Sequence, residues 1–82
     1  MSVVLYTKPG CGPCLATKRA LTAKGLTFDE IDVSKDAEAF EFVTNELGYR
    51  GVPVVYVDAG QHWTGFDPAR IDAIVNRDPS LA

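Results

Sequence analysis

Along this chain, apolar positions alternate between short β-like runs and stretches of helical spacing, and the breaks between them fall at glycine, proline and aspartate. Ser2 to Tyr6 predicts a buried strand, since it is β-branched at Val3 and Val4 and is followed by a turn at Lys8, Pro9 and Gly10. A helix from about Gly12 to Lys24 comes next, ended by Gly25 where a left-handed backbone costs glycine little. Leu26 to Val33 predicts a second strand, apolar at Leu26, Phe28, Ile31 and Val33, with a slip in phase at Asp29-Glu30. Ser34 is the expected N-cap of a second helix, with Asp36 and Glu38 in its first turn. Its apolar face is Ala39, Phe40, Val43 and Leu47, and Gly48 closes it. Pro53 opens a third strand running to Val57, Asp58 to Gln61 is a turn, and His62-Trp63-Thr64 pairs back as the other arm of a hairpin. Asp67 and Pro68 read as N-cap and first residue of a last helix with a buried stripe of Ile71, Ile74 and Val75; Asn76 to Ala82 is polar and contains a proline.

The order β-α-β-α-β-β-α fits a single α/β domain over residues 1–78, with a tail at 79–82. Its first strand-helix-strand unit requires a right-handed crossover and a parallel pair, and its last two strands form an antiparallel hairpin. A four-stranded mixed sheet flanked by three helices, on both faces, satisfies every connection. Composition agrees: 46% hydrophobic and 23% charged residues describe a globular chain with a small core, not a disordered or disulfide-stapled one. A net charge of −3 without any Lys/Arg cluster argues against nucleic acid or an anionic membrane as partner. No segment approaches membrane-spanning length, and Val3 to Tyr6 is too short for the apolar part of a signal peptide, so a cytoplasmic protein is expected.

The two cysteines of the chain stand together in Cys11-Gly12-Pro13-Cys14, at the start of the first predicted helix. Positions i and i+3 share a helix face within bridging distance. A bridge across so short a loop restrains the unfolded chain little, so stability explains the pairing poorly. In a compartment that keeps thiols reduced, such a pair is more often catalytic or metal-binding, and reversible redox chemistry is the better reading. A zinc site built from Cys11, Cys14 and His62 lacks a fourth protein ligand, and His62 reads instead as a solvent-facing strand residue. Asp29, Glu30 and Asp32 read as a solvated strand edge. No phosphate loop, Ser/His/Asp arrangement or carboxylate pair stands out, and no metal or cofactor is expected.

These residues resemble the thioredoxin-fold redoxins, whose markers are a Cys-x-x-Cys opening the first helix, a Val-Pro before the third strand and a glycine after the fourth. Here they are Cys11/Cys14, Val52-Pro53 and Gly65. Thioredoxin proper carries an extra strand and helix ahead of this unit, so glutaredoxin size fits better. Within that group the chain is similar to the NrdH-redoxins over nearly its whole length: Tyr6-Thr7-Lys8-Pro9, Cys11 to Leu21, Pro53-Val54-Val55, and Trp63-Thr64-Gly65-Phe66-x-Pro68, which is the specific segment. The resemblance implies a glutaredoxin-like thioredoxin fold without a cofactor, and a monomer that is reduced by thioredoxin reductase and passes electrons to class Ib ribonucleotide reductase. Two positions depart from the family: Gly12-Pro13 is the thioredoxin dipeptide, and Asp67 stands where an arginine is usual. In glutaredoxins an aspartate at this place contacts the amino end of glutathione, so a glutathione-dependent glutaredoxin is the alternative. An iron–sulfur or zinc carrier using Cys11 across a dimer interface is a third class.

Cys11, at the helix entrance, is the expected exposed nucleophile, its thiolate favoured by free backbone N–H groups and the helix dipole. Cys14, one turn in, is the expected buried resolving thiol. Pro13 has no N–H to offer the thiolate, which makes the couple more reducing. The resemblance further implies a cis Val52–Pro53 bond that turns the Val52 backbone toward an extended substrate segment, with Gly51 and Gly65 keeping backbone close on either side. Lys8 either binds a substrate carboxylate, biases the Cys11 thiol toward its thiolate form, or is a solvated loop lysine. Trp63 and Phe66 divide evenly between an exposed docking patch and core packing, and Asp67 reads as a helix cap before a glutathione ligand.

Overall fold

The computed structural model describes residues 3–77. Strands β1 (Val3–Thr7), β2 (Phe28–Asp32), β3 (Val54–Asp58) and β4 (Gln61–Thr64) form one mixed sheet in the order β2-β1-β3-β4. β2 runs parallel to β1, while β3 is antiparallel to both β1 and β4. Helices α1 (Gly12–Ala23) and α3 (Pro68–Arg77) pack on one face; α2 (Ala37–Glu41) runs on into a π-helical turn at Phe42–Glu46 and packs on the other.

Strand alternation divides the core between these faces. Val3, Leu5, Val55, Val57 and Trp63 join Leu21 of α1 and Ile71 and Ile74 of α3 on one side. Tyr6 and Val54 meet Ala39 and Val43 on the other. The two central strands are therefore apolar in both phases, whereas the edge strand β2 exposes Asp29 and Glu30 next to one another. That accounts for the slip in phase: Phe28 packs toward α1 and α3, and Ile31 and Val33 pack toward α2.

Several element boundaries differ from the sequence reading for identifiable reasons. β2 begins at Phe28 and not at Leu26, because the end of α1 uses the Leu26 backbone. The Leu26 N–H donates to the Leu21 carbonyl (3.1 Å), the Gly25 N–H donates to that of Thr22 (3.0 Å), and Gly25 has φ +74°. This is a Schellman cap, completed by the buried side chains of Leu26 and Leu21 in one cluster. The N-cap of α2 is Asp36, whose carboxylate accepts the Ala39 N–H at 3.0 Å. Ser34, expected there, is instead held by Asp32, whose Oδ1 accepts both its hydroxyl (2.6 Å) and its N–H (2.9 Å). These bonds hold the Asp32 carboxyl below its ordinary range, the hydroxyl contributing most.

Phe40 is exposed, although helical spacing puts it on the apolar face. Ala39 and Val43 set the inward face, and Phe42 takes the flank that meets the sheet, 5.9 Å from the Tyr6 ring and 5.3 Å from the Tyr56 ring, with Phe40 on the opposite flank. Tyr6 itself is buried, and that burial, ahead of the nearby Tyr56 and Asp36, raises its pKa above the ordinary tyrosine value. α3 extends through Asn76 and Arg77, two residues into the segment read as a polar tail. Ser2, residue 78 and the predicted tail at 79–82 lie outside the described residues.

Candidate active site

β1 delivers the chain to the loop Lys8–Gly10, which turns it into α1 with Cys11 as the N-cap. The Cys11 backbone is extended (φ −97°, ψ 106°), as an N-cap requires, and its carbonyl accepts the Leu15 N–H at 3.3 Å. Its Sγ takes the capping role that an oxygen usually fills, accepting the Cys14 N–H at 3.1 Å. Pro13 falls in the first turn, where a missing N–H costs the helix nothing. Its carbonyl accepts a 2.9 Å hydrogen bond from the hydroxyl of Thr17, a fully buried residue one turn on.

Cys11 and Cys14 are joined as a disulfide with their Cα atoms 5.3 Å apart. Cys11 is partly exposed, whereas Cys14 is 4% exposed. An incoming sulfur therefore meets Cys11 first. Across from it the Val52–Pro53 bond is cis, and the Val52 carbonyl oxygen stands 3.8 Å from the Cys11 Sγ. The Pro53 carbonyl accepts the Gly65 N–H (2.8 Å) and the Thr64 hydroxyl (3.1 Å), tying this loop to the end of β4. Gly65 has φ +86°, a left-handed conformation that favours glycine. The close approach expected at Gly51 and Gly65 is absent, since a Cβ at either would meet no atom within 4 Å.

On one side of the disulfide a cavity of about 480 Å³ is lined by Thr7, Lys8, Cys11, Cys14, Lys18 and Glu30, among others. Glu30 is more than the solvated strand edge expected from sequence: its carboxylate pairs with the Lys18 ammonium at 2.9 Å and accepts the Thr7 hydroxyl at 3.3 Å. The signal that could have found it is the parallel alignment of β2 with β1, which sets Glu30 beside Leu5 and within reach of Thr7. Leu15, also missed, lines the same cavity and is 48% exposed.

The remaining candidates separate. Trp63 is buried, with no partner for its Nε1–H among the described residues, so it belongs to the core and not to a docking patch. Phe66 is 46% exposed and remains available. Asp67 Oδ1 accepts the Arg70 N–H at 3.2 Å and its Oδ2 lies 3.6 Å from the Arg70 Nε, so its carboxylate caps α3. His62 is not solvent-facing as expected: its Nδ1 lies 2.7 Å from the Tyr49 hydroxyl and its ring stacks on Tyr56 at 5.9 Å. Among the described residues no group of three or more His, Cys, Asp or Glu side chains is placed to hold a metal, and no helix is long and apolar enough to cross a membrane.

A disulfide that can be opened at one sulfur, held at a helix entrance on a sheet of this order, defines a thiol–disulfide oxidoreductase with a thioredoxin-like fold. A model of the glutaredoxin family matches residues 3–63. The Gene 56 protein of Mycobacterium phage L5 is 40% identical, over 90% of this chain and 72% of that protein. The glutaredoxin-like protein NrdH of Escherichia coli (strain K12) is 36% identical, over 90% of this chain and 89% of its own length. The solved structure of the E. coli NrdH-redoxin, described as having a thioredoxin-like activity profile, superposes with a TM-score of 0.82, covering 90% of this chain and 95% of that one at 36% identity. The chain belongs to the glutaredoxin family, as an NrdH-redoxin-like member.

Proposed function

We propose that the protein is a cytoplasmic, monomeric dithiol electron carrier, reduced by thioredoxin reductase and donating to class Ib ribonucleotide reductase. The observation that carries this reading is the asymmetry of the pair: a reachable Cys11 sulfur beside the Val52 carbonyl, backed by a buried Cys14. In the reduced protein the Cys11 thiolate attacks one sulfur of a partner disulfide, and the other partner sulfur leaves as a thiolate. The partner segment lies extended against the Val52 backbone, which offers it main-chain pairing. Cys14, deprotonated, then attacks the Cys11 Sγ, so that the second partner sulfur leaves and the Cys11–Cys14 disulfide forms. Two electrons have passed to the partner, and its two thiolates take up the two protons released. Thioredoxin reductase returns the pair to its starting state by the same exchange in reverse.

Three observations support a protein partner over glutathione. Leu15, Phe40 and Phe66, the exposed large hydrophobic side chains among the described residues, lie beside the Cys11 cavity, the Val52 loop and the turn after β4 respectively. Glutathione offers no apolar side chain to cover them. The Asp67 carboxylate, the residue that suggested glutathione, is engaged at the start of α3. The E. coli relative is described as thioredoxin-like in its activity.

The test couples NADPH oxidation to the protein through thioredoxin reductase, with a class Ib ribonucleotide reductase and its substrate as acceptor, and in parallel through glutathione and glutathione reductase. Turnover is expected in the first system and not in the second. Turnover with glutathione alone overturns the proposal.

A further inference from the structure

We infer that the groove beside the Val52 loop selects partner segments that carry an acidic residue next to an apolar one, close in sequence to the disulfide under attack. This deepens the electron-carrier reading and rests on it. The groove, of about 90 Å³, is walled by Val33, Phe40, Val43 and Val52 and flanked by Lys8 and Arg50. It adjoins the reaction centre through two shared residues. Val52 presents its carbonyl 3.8 Å from the Cys11 Sγ, and Lys8 lines this groove as well as the cavity containing Cys11. A segment paired in extended form along Val52 advances about 3.3 Å per residue, which brings a neighbour of the attacked cysteine over the groove.

Charge and apolar surface both point to that occupant. Lys18, Lys24 and Arg70 meet carboxylates at 2.9, 2.7 and 3.6 Å, whereas Lys8, Arg19, Lys35 and Arg50 have no ion-pair partner among the described residues, and of these four Lys8 and Arg50 line the groove. Two uncommitted cations therefore flank one groove on a chain whose net charge is −3. Phe40 lines the same groove and is 53% exposed. A carboxylate satisfies the cations, and an apolar neighbour covers Phe40. Glutathione supplies only the first.

The test uses the reduced protein and synthetic peptides with an internal disulfide flanked on either side by Glu-Leu, Glu-Gly, Gln-Leu or Lys-Leu, with peptide thiols quantified after acid quench and alkylation. A pairing of exposed charges is worth about two- to fivefold, so the Glu peptide is expected to react about fivefold faster than the Lys peptide at low salt. The difference should shrink toward unity at about 1 M salt, where the screening length is about 3 Å. Arg50→Glu should reverse the order, and Phe40→Ser should remove the advantage of Leu over Gly beside the acid. Both positions are exposed, and circular dichroism confirms that each variant is folded. Equal rates for all peptides, or an order unchanged in Arg50→Glu, overturn the assignment of the groove while leaving the carrier intact. Oxidised glutathione outpacing every peptide in an Arg50-dependent way overturns it as well. Failure to reduce any peptide sinks the carrier reading itself.

Discussion

Replacing Pro13 by alanine tests how this site sets its redox poise. Cys11 is the N-cap of α1, and its sulfur already accepts one N–H, from Cys14 at 3.1 Å. The residue between them in the first turn is Pro13, which has none. Pro13→Ala supplies a second donor at the position from which an N-cap acceptor can also be bonded. A hydrogen bond to a charged group is worth about 1.5–3 kcal/mol, and at a part-exposed helix entrance the increment is closer to 1 kcal/mol. The disulfide sulfur accepts more weakly than a thiolate, so the added bond favours the reduced form. For a two-electron couple 1.4 kcal/mol corresponds to about 30 mV, and the potential should rise by roughly 10–20 mV. Alanine also loosens the unfolded chain by about 0.4–1 kcal/mol, but this affects both redox states alike and cancels. Equilibration against a dithiothreitol buffer series, with the oxidised fraction read after alkylation, measures the shift as a two- to fivefold change in equilibrium constant. A potential that stays put or falls refutes the link between the first-turn donors and the Cys11 sulfur.

Other consequences follow from the same geometry. Cys14→Ser should accumulate a mixed disulfide with the partner at Cys11, visible as a mass adduct, while Cys11→Ser should exchange with nothing; an adduct in the second variant reverses the assigned roles. Thr17→Val removes the buried hydroxyl that donates to the Pro13 carbonyl, and should destabilise the protein by about 1 kcal/mol, lowering Tm by about 4–8 °C in calorimetry. An unchanged Tm would show that bond to be worthless. Tyr6 has its pKa raised by burial, so above about pH 10 the unfolded chain releases that proton while the folded chain keeps it. Stability therefore falls as pH rises through this range, and Tyr6→Phe should flatten that alkaline limb in urea titrations; an equally steep limb contradicts the assignment.

Much of the fold is legible because local and long-range signals agree. β1 and β3 are apolar in both phases, as central strands must be, and Asp67-Pro68 starts α3 as the cap rule demands. The disulfide pair is legible because its spacing and its place at a helix entrance act within four residues. What escaped depends on partners remote in sequence or on a local competitor. Leu26 looks like strand until the cap of α1 claims its N–H. Phe40 and Phe42 flank the buried stripe of Ala39 and Val43 on opposite sides, and helical spacing alone does not say which flank meets the sheet. Glu30 is one more edge carboxylate until the sheet sets it near Thr7 and Lys18, and His62 looks solvated until Tyr49 reaches it from thirteen residues away. The exposed groove of Lys8, Phe40 and Arg50 draws on three separate segments, none of them distinctive alone.

The central claim is that one sulfur of the pair is presented for attack while the other waits behind it. Brief treatment of the freshly reduced protein with substoichiometric iodoacetamide at pH 7, followed by peptide mass analysis, reads this directly. The label is expected on Cys11 with Cys14 unmodified. Label on Cys14 first, or equal label on both, contradicts the account.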